Sequence, residues 1–221
     1  MGWFNFGKKK KKSSQEIQLL GITGQIATLK CLILARIKDV PLQTTLAPYT
    51  VGVDQVKSYQ YLADSTRSPT VEHDGSKLSG TTAILTYLDI RGTGASLTPR
   101  KARILGQQNY WIDICYQVLA PVTAAVTTGR ATDNDHQLLK KLLNSLNNLL
   151  TENLYVVGPM SFADPHVAAY VHALSCSGVD IASYPKIGDW VARLETDMGG
   201  PLDIEYLQMD STKFSVAGQV A

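Results

Sequence analysis

Few residues of this chain could do chemistry, and Ser161 and Asp164 are the most informative of them. They lie in the stretch YVVGPMSFADPHVAAYVHAL, residues 155–174. Their S-x-x-D spacing is that of a capping box, in which the hydroxyl accepts from the backbone N–H three residues on and the acid reaches back to the N–H of the serine. Two donors that a helix start leaves unpaired are satisfied in this way. The helix that follows carries Phe162, Ala163, Val167, Ala168, Val171 and Leu174, which predicts burial on most sides. No water is available there to replace a lost cap. Pro165 falls just inside the first turn and removes one early donor.

Other chemistry is thin. His73 stands beside Asp74 in an expected solvated turn, and His136 reads as a helix-start residue. His166 and His172 are six residues apart on the apolar helix and so do not share a face. Cys31, Cys115 and Cys176 are far apart and flanked by apolar residues, with neither a C-x-x-C nor a metal-ligand pair. All three are expected to be small buried hydrophobes in a reducing, intracellular compartment. The chain has no H-E-x-x-H, P-loop, nucleophile elbow or paired acid site, so neither a metal nor a resident cofactor is expected.

The elements that must position these residues fall into two halves. Glu16–Ile22 reads as a strand, Ala27–Ile37 as a helix with a continuous apolar face, and Pro41–Leu46 as a second strand, giving a β-α-β start. Thr50–Leu62 reads as helix or loop. Ser68–Gly75 reads as a strand running into an Asp-Gly turn, with Lys77–Ser79 as its hairpin partner. Thr81 is the expected N-cap of a helix over Thr81–Leu88. Arg91–Pro99 has linker composition. Beyond it the pattern is helical: a long helix over Arg103–Val126 kinked or ended at Pro121, a leucine-periodic helix over His136–Leu150, the apolar helix, and a last helix around Ile187–Glu195. The expected organisation is a tail over 1–14, an α/β domain over 15–90, a linker over 91–100, a helical domain over 101–200 and an extension over 201–221.

Net charge is +2, of which +5 lies in Lys8–Lys12, so the other residues sum to −3. That balance and the lack of a recognition motif exclude a nucleic-acid binder. No apolar run approaches the roughly 20 residues of a membrane span, and Met1–Lys12 lacks the apolar core of a secretory signal. In the tail, Trp3, Phe4 and Phe6 precede Lys8, Lys9, Lys10, Lys11 and Lys12. Three readings are open for it: a solubilising segment, a binder of anionic membrane surfaces at ~1 kcal/mol per lysine, and a docking peptide for a larger assembly.

Four segments in order resemble the glutathione-transferase family. They are Ser68-Pro69-Thr70-Val71, Leu78–Leu88 (LSGTTAILTYL), Gly158–Asp164 (GPMSFAD), and Tyr184–Trp190 (YPKIGDW). The resemblance spans about Ile17–Leu194. It implies a thioredoxin-like α/β N-terminal domain followed by an all-α C-terminal domain.

It also implies a site, and there this sequence departs. The family activates glutathione with a Tyr, Ser or Cys after the first strand, whose hydrogen bond favours the thiolate. The matching segment, Leu19–Thr28, has only Thr23 at the strand end and Thr28 further on, the structural alternatives being a turn residue and a helix-side hydroxyl. The family's acidic or amide residue followed by Ser, which meets the glutathione γ-glutamyl group, corresponds to Gly80 and Thr81. Thr81 keeps a hydroxyl at a helix start, while Gly80 has no side chain to hold an ammonium. Pro69 and Thr70 match the x-Pro segment that offers backbone to the cysteinyl group. Half the glutathione site is therefore present in form.

Two principal readings follow. The first is a non-catalytic interaction or scaffold subunit of a larger protein assembly, as some members of the family are. The second is a divergent glutathione transferase using Thr23, with its electrophile near Tyr110, Trp111 and Tyr116. A third is a membrane-surface adaptor acting through the tail. The resemblance further implies homodimerisation, while the cysteines and the tail together predict an intracellular location, cytoplasmic or membrane-peripheral.

Overall fold

The computed structural model describes residues 16–47 and 69–203. The tail with Trp3, Phe4, Phe6 and Lys8–Lys12, and the segment read as Thr50–Leu62, lie outside the described residues.

Strand β1 (Ile17–Ile22) pairs in parallel with β2 (Leu42–Ala47), and helix α1 (Ile26–Ile37) makes the crossover between them. β3 (Thr70–His73) runs antiparallel to β1, and β4 (Ser76–Ser79) antiparallel to β3, giving the order β2-β1-β3-β4. Asp74 and Gly75 close the hairpin with φ of 49° and 75°, the paired positive values that an Asp-Gly turn supplies. Helix α2 (Thr81–Arg91) follows. β1 alternates buried Ile17 and Leu19 with exposed Gln18, whereas α1 is buried over eight consecutive residues, Thr28 to Ala35. A helix buried all round lies between other layers. α1 packs against α2 and also against two helices of the second half.

The second half contains α3 (Ala102–Ile114), α4 (Ala120–Thr127), α5 (Asp133–Glu152), α6 (Ala163–Cys176) and α7 (Pro185–Met198). α3 and α4 form one continuous rod joined by a wide turn, Cys115–Leu119, in which Ala120 N–H donates to Cys115 O five residues back. The expected break at Pro121 is thus a π-turn just before it. The wider turn relieves the clash between a proline ring and the preceding carbonyls without ending the helix. α6 is the centre of the molecule, buried at every residue from Ser161 to Val171. It contacts α1, α3 and α4. No helix among the described residues is long and apolar enough to cross a membrane.

A buried ion pair within the first half ties the end of α1 to α2 and to the segment that leads into the second half. Lys38 Nζ lies 3.0 Å from Asp89 Oδ1 and donates to Ala95 O at 2.7 Å. Asp89 accepts from Ser96 Oγ and Leu97 N–H, so the segment after α2 is fastened to α1. Gly92 is required there, since a Cβ would come within 2.5 Å of Lys38 Cβ.

Candidate functional site

The pairings Leu20 with Thr70 and Thr70 with Ser79 set the end of β1, the start of β3 and the end of β4 at one end of the sheet. Thr23, Pro69, Thr70 and Thr81 are all brought to that end. Thr23 is half-buried in the turn after β1, and its N–H donates to Ala47 O at 2.9 Å. Thr28 is fully buried and committed elsewhere. Its Oγ1 accepts from Ile22 N–H at 3.3 Å and donates to Gln25 Oε1 at 3.1 Å. It also lies against Gly21, where a Cβ would meet Thr28 Cγ2 at 2.6 Å. Thr28 is therefore a structural hydroxyl that joins strand to helix.

Pro69 and Thr70 are buried, and the Thr70 hydroxyl pairs with Ser79 Oγ at 3.0 Å across the hairpin. The N-cap of α2 is Gly80, not Thr81 as expected, and Thr81 is the first helical residue. Gly80 turns the chain at φ 98°, ψ 128°, a region essentially confined to glycine, so the side chain best suited to cap sits one position too late. The first turn of α2 has neither a side-chain cap nor an acidic residue, so its N–H groups face an incoming anion unopposed.

Asp164 organises a second cluster inside the helical half. Its Oδ1 accepts from Val156 N–H at 2.9 Å and Trp190 Nε1–H at 3.0 Å. Its Oδ2 accepts from Ser161 N–H at 2.9 Å and the Ser161 hydroxyl at 3.4 Å. Burial pushes its carboxyl up to about 6, against the pull of those four donors. The Ser161 hydroxyl accepts from Ala163 N–H at 3.2 Å, two residues on rather than three, while Asp164 N–H meets the Ser161 carbonyl at 3.2 Å. The reciprocal box is modified because the helix starts one residue later than its spacing predicts, with Phe162 as N-cap. Pro165 is harmless, since the N–H it lacks would have been an orphan of the first turn.

A third cluster lies where α1 meets the π-turn and α6. Lys30 is only 2% exposed, and its ammonium sits 4.6 Å from the Tyr116 ring centroid and 4.7 Å from that of Tyr170. Burial lowers its pKa to about 8. The thiols around it, Cys31 and Cys115, are pushed up to about 12 by burial and are neutral. His166 is held down to about 4, by burial first and Lys30 second. Its Nδ1–H donates to Phe162 O at 2.8 Å, which leaves Nε2 to accept from the Tyr116 hydroxyl at 3.5 Å. The Tyr116 phenol is raised above its ordinary value, chiefly by burial.

Several expectations need correction. His73 is buried at the end of β3, with Tyr87 Oη hydrogen-bonded to its Nδ1, rather than solvated in a turn. Cys176 is exposed, 3.5 Å from His172 Nε2, because it lies on the last turn of α6 as the helix leaves the core. Of the aromatics proposed for an electrophile, Tyr110 is mostly exposed and Trp111 is buried. Tyr116 lies against Lys30 of α1, at the junction between the halves. Sequence reasoning did not find Lys30, Gln108, which holds Phe162 N–H at 3.2 Å, or the Lys38–Asp89 pair. A charged residue inside the apolar run ATLKCLILARI is the one signal that pointed to Lys30.

No family model and no curated protein matches the sequence. Solved structures do. A glutathione transferase from Bombyx mori aligns with a TM-score of 0.69 at 20% identity, over 90% of this chain and 98% of its own. Glutathione S-transferase 1-6 from Anopheles dirus species B gives 0.69 at 19% identity, over 89% and 95%. A delta-class glutathione transferase from Nilaparvata lugens gives 0.68 at 20% identity, over 89% and 97%. With its mixed four-stranded sheet, its helical second half and these neighbours, the chain is glutathione-transferase-like: a thioredoxin-like N-terminal domain followed by an all-α C-terminal domain.

Proposed function

We propose that this chain is a non-catalytic, glutathione-transferase-like protein acting as an interaction or scaffold subunit within a larger assembly. The observation that carries this reading is Gly80. It stands at the cap of α2 with no side chain, at a φ of 98° that disfavours every other residue. The charged half of a glutathione site is therefore missing, at a cost of roughly 1.5–3 kcal/mol, or about tenfold to 100-fold in affinity. The commitment of Thr28 to Ile22 and Gln25 supports it further, since that hydroxyl is not free to act on a sulfur. Partners are other protein subunits and a second copy of the chain. An anionic membrane surface is a third, through Trp3, Phe4, Phe6 and Lys8–Lys12.

The gathering of Thr23, Pro69, Thr70 and Thr81 at one sheet end favours a second reading, a divergent glutathione transferase with Thr23 as the hydroxyl. Conjugation of glutathione to an aryl halide separates the two. The scaffold reading predicts turnover at the uncatalysed rate in both the wild type and Thr23→Ala. Turnover above that rate which drops ten-fold or more in Thr23→Ala would establish the enzyme reading.

A further inference from the structure

We propose that Lys30 is the cationic centre of a carboxylate-binding site at the junction of the two halves, with Tyr116 as its cover. A buried ammonium ordinarily has a carboxylate or several carbonyl oxygens around it, because an uncompensated charge in a low-dielectric interior is strongly unfavourable. Lys38, elsewhere on the chain, follows that rule with Asp89 and Ala95 O. Lys30 does not. Its contacts among the described residues are two ring faces, and neither a carboxylate nor a carbonyl oxygen partners it. The groups facing it from each element are neutral: Cys31 on α1, Cys115 and Tyr116 on the π-turn, His166 and Tyr170 on α6. The ammonium is the one charge in the cluster.

Three features make this a site rather than a defect. Lys30 is already withdrawn from bulk solvent in the folded protein, so much of the cost of burying the cation falls on folding, and an entering carboxylate gains a charge-assisted bond. Two π faces hold the ammonium in place meanwhile. Access is built into Tyr116, which is 45% exposed and is carried on a π-turn, a geometry frequent at functional sites. Its phenol is held to His166 by a long 3.5 Å bond. Swinging that half-exposed ring outward uncovers one side of the ammonium, and the freed phenol can donate to the same carboxylate.

The carboxylate could belong to a separate acidic ligand or to glutathione itself, but the site does not depend on the glutathione reading. The test titrates benzoate and its uncharged isostere benzamide into the full chain by calorimetry at pH 7, with wild type and Lys30→Met. Methionine keeps the stem volume and removes the charge, and a thermal melt checks that the variant is folded. Wild type should prefer benzoate by about tenfold or more, and Lys30→Met should bind the two alike. Equal binding by wild type, or a preference that survives Lys30→Met, overturns the proposal. A second measurement needs no variant. Benzoate affinity of the wild type should fall as pH rises from 7 to 9.5 and the amine loses its proton, and a flat profile overturns the proposal. Glutathione titrated into both proteins identifies the source. Weakening in Lys30→Met alongside benzoate assigns the carboxylate to glutathione, and weakening of benzoate alone assigns it to a separate acid.

Discussion

Asp164 gathers four donors from three places: Val156 in the segment before α6, Ser161 at the start of α6, and Trp190 on α7. Replacing it with alanine leaves Val156 N–H, Ser161 N–H and Trp190 Nε1–H buried without an acceptor. Each orphan costs about 1–3 kcal/mol, so Asp164→Ala should lose roughly 3 kcal/mol or more in urea denaturation. The pH dependence has a definite sign. The folded carboxyl titrates near 6 and the unfolded one near 3.8, so the folded state binds the proton more tightly. Its contribution to stability is greatest below about 3.8 and is lost as pH rises through 6. The gap between wild type and Asp164→Ala should therefore narrow between pH 4 and pH 6.5. Constancy across that range would show that the four donors fully offset the burial of the charge.

Among the elements, regular ones were legible in the sequence and their joints were not. β1, α1 and the Asp-Gly hairpin followed from apolar runs and turn chemistry, which act over a few residues. α5 followed from its leucines, of which Leu139, Leu143, Leu146 and Leu150 are the buried face. Its true start carried a readable signal that went unread. Thr132 and Asp135 form a reciprocal capping box, with Asp135 N–H to Thr132 Oγ1 at 3.3 Å and Thr132 N–H to Asp135 Oδ2 at 2.8 Å. Thr132→Ala should cost about 1 kcal/mol, measured by thermal or urea unfolding, and no loss would mean the exposed box is replaced by water. Pro121 marks the irregularity in the sequence, but a proline allows either a break or a kink, and that the helix continues through a π-turn is visible only in the backbone. The same holds for Gly80, where the sequence correctly marks a helix start but the backbone dihedral alone decides which residue caps it.

At the scale of the whole molecule, the fold was legible because four spaced segments belong to one architecture. Two of them prove to be a single contact, since Asp164 in one accepts from Trp190 in another. The site was legible only by position. Strand register places Thr23, Thr70 and Thr81 together, but the sequence does not reveal that Thr28 is consumed by the β1–α1 junction. Nor does it reveal that Lys30 is buried against the rings of Tyr116 and Tyr170 with no carboxylate among the described residues beside it. The partners of Lys30, Lys38 and Gln108 lie far away in the chain and are decided by tertiary packing, which local pattern does not encode.

Whether the sheet end works as only half a glutathione site is decided by calorimetric titration of glutathione into the purified chain. The scaffold reading predicts no measurable heat, or a Kd no tighter than millimolar, because Gly80 supplies no charged partner. A Kd in the micromolar range would contradict it and show that backbone donors and Thr81 suffice to hold the ligand.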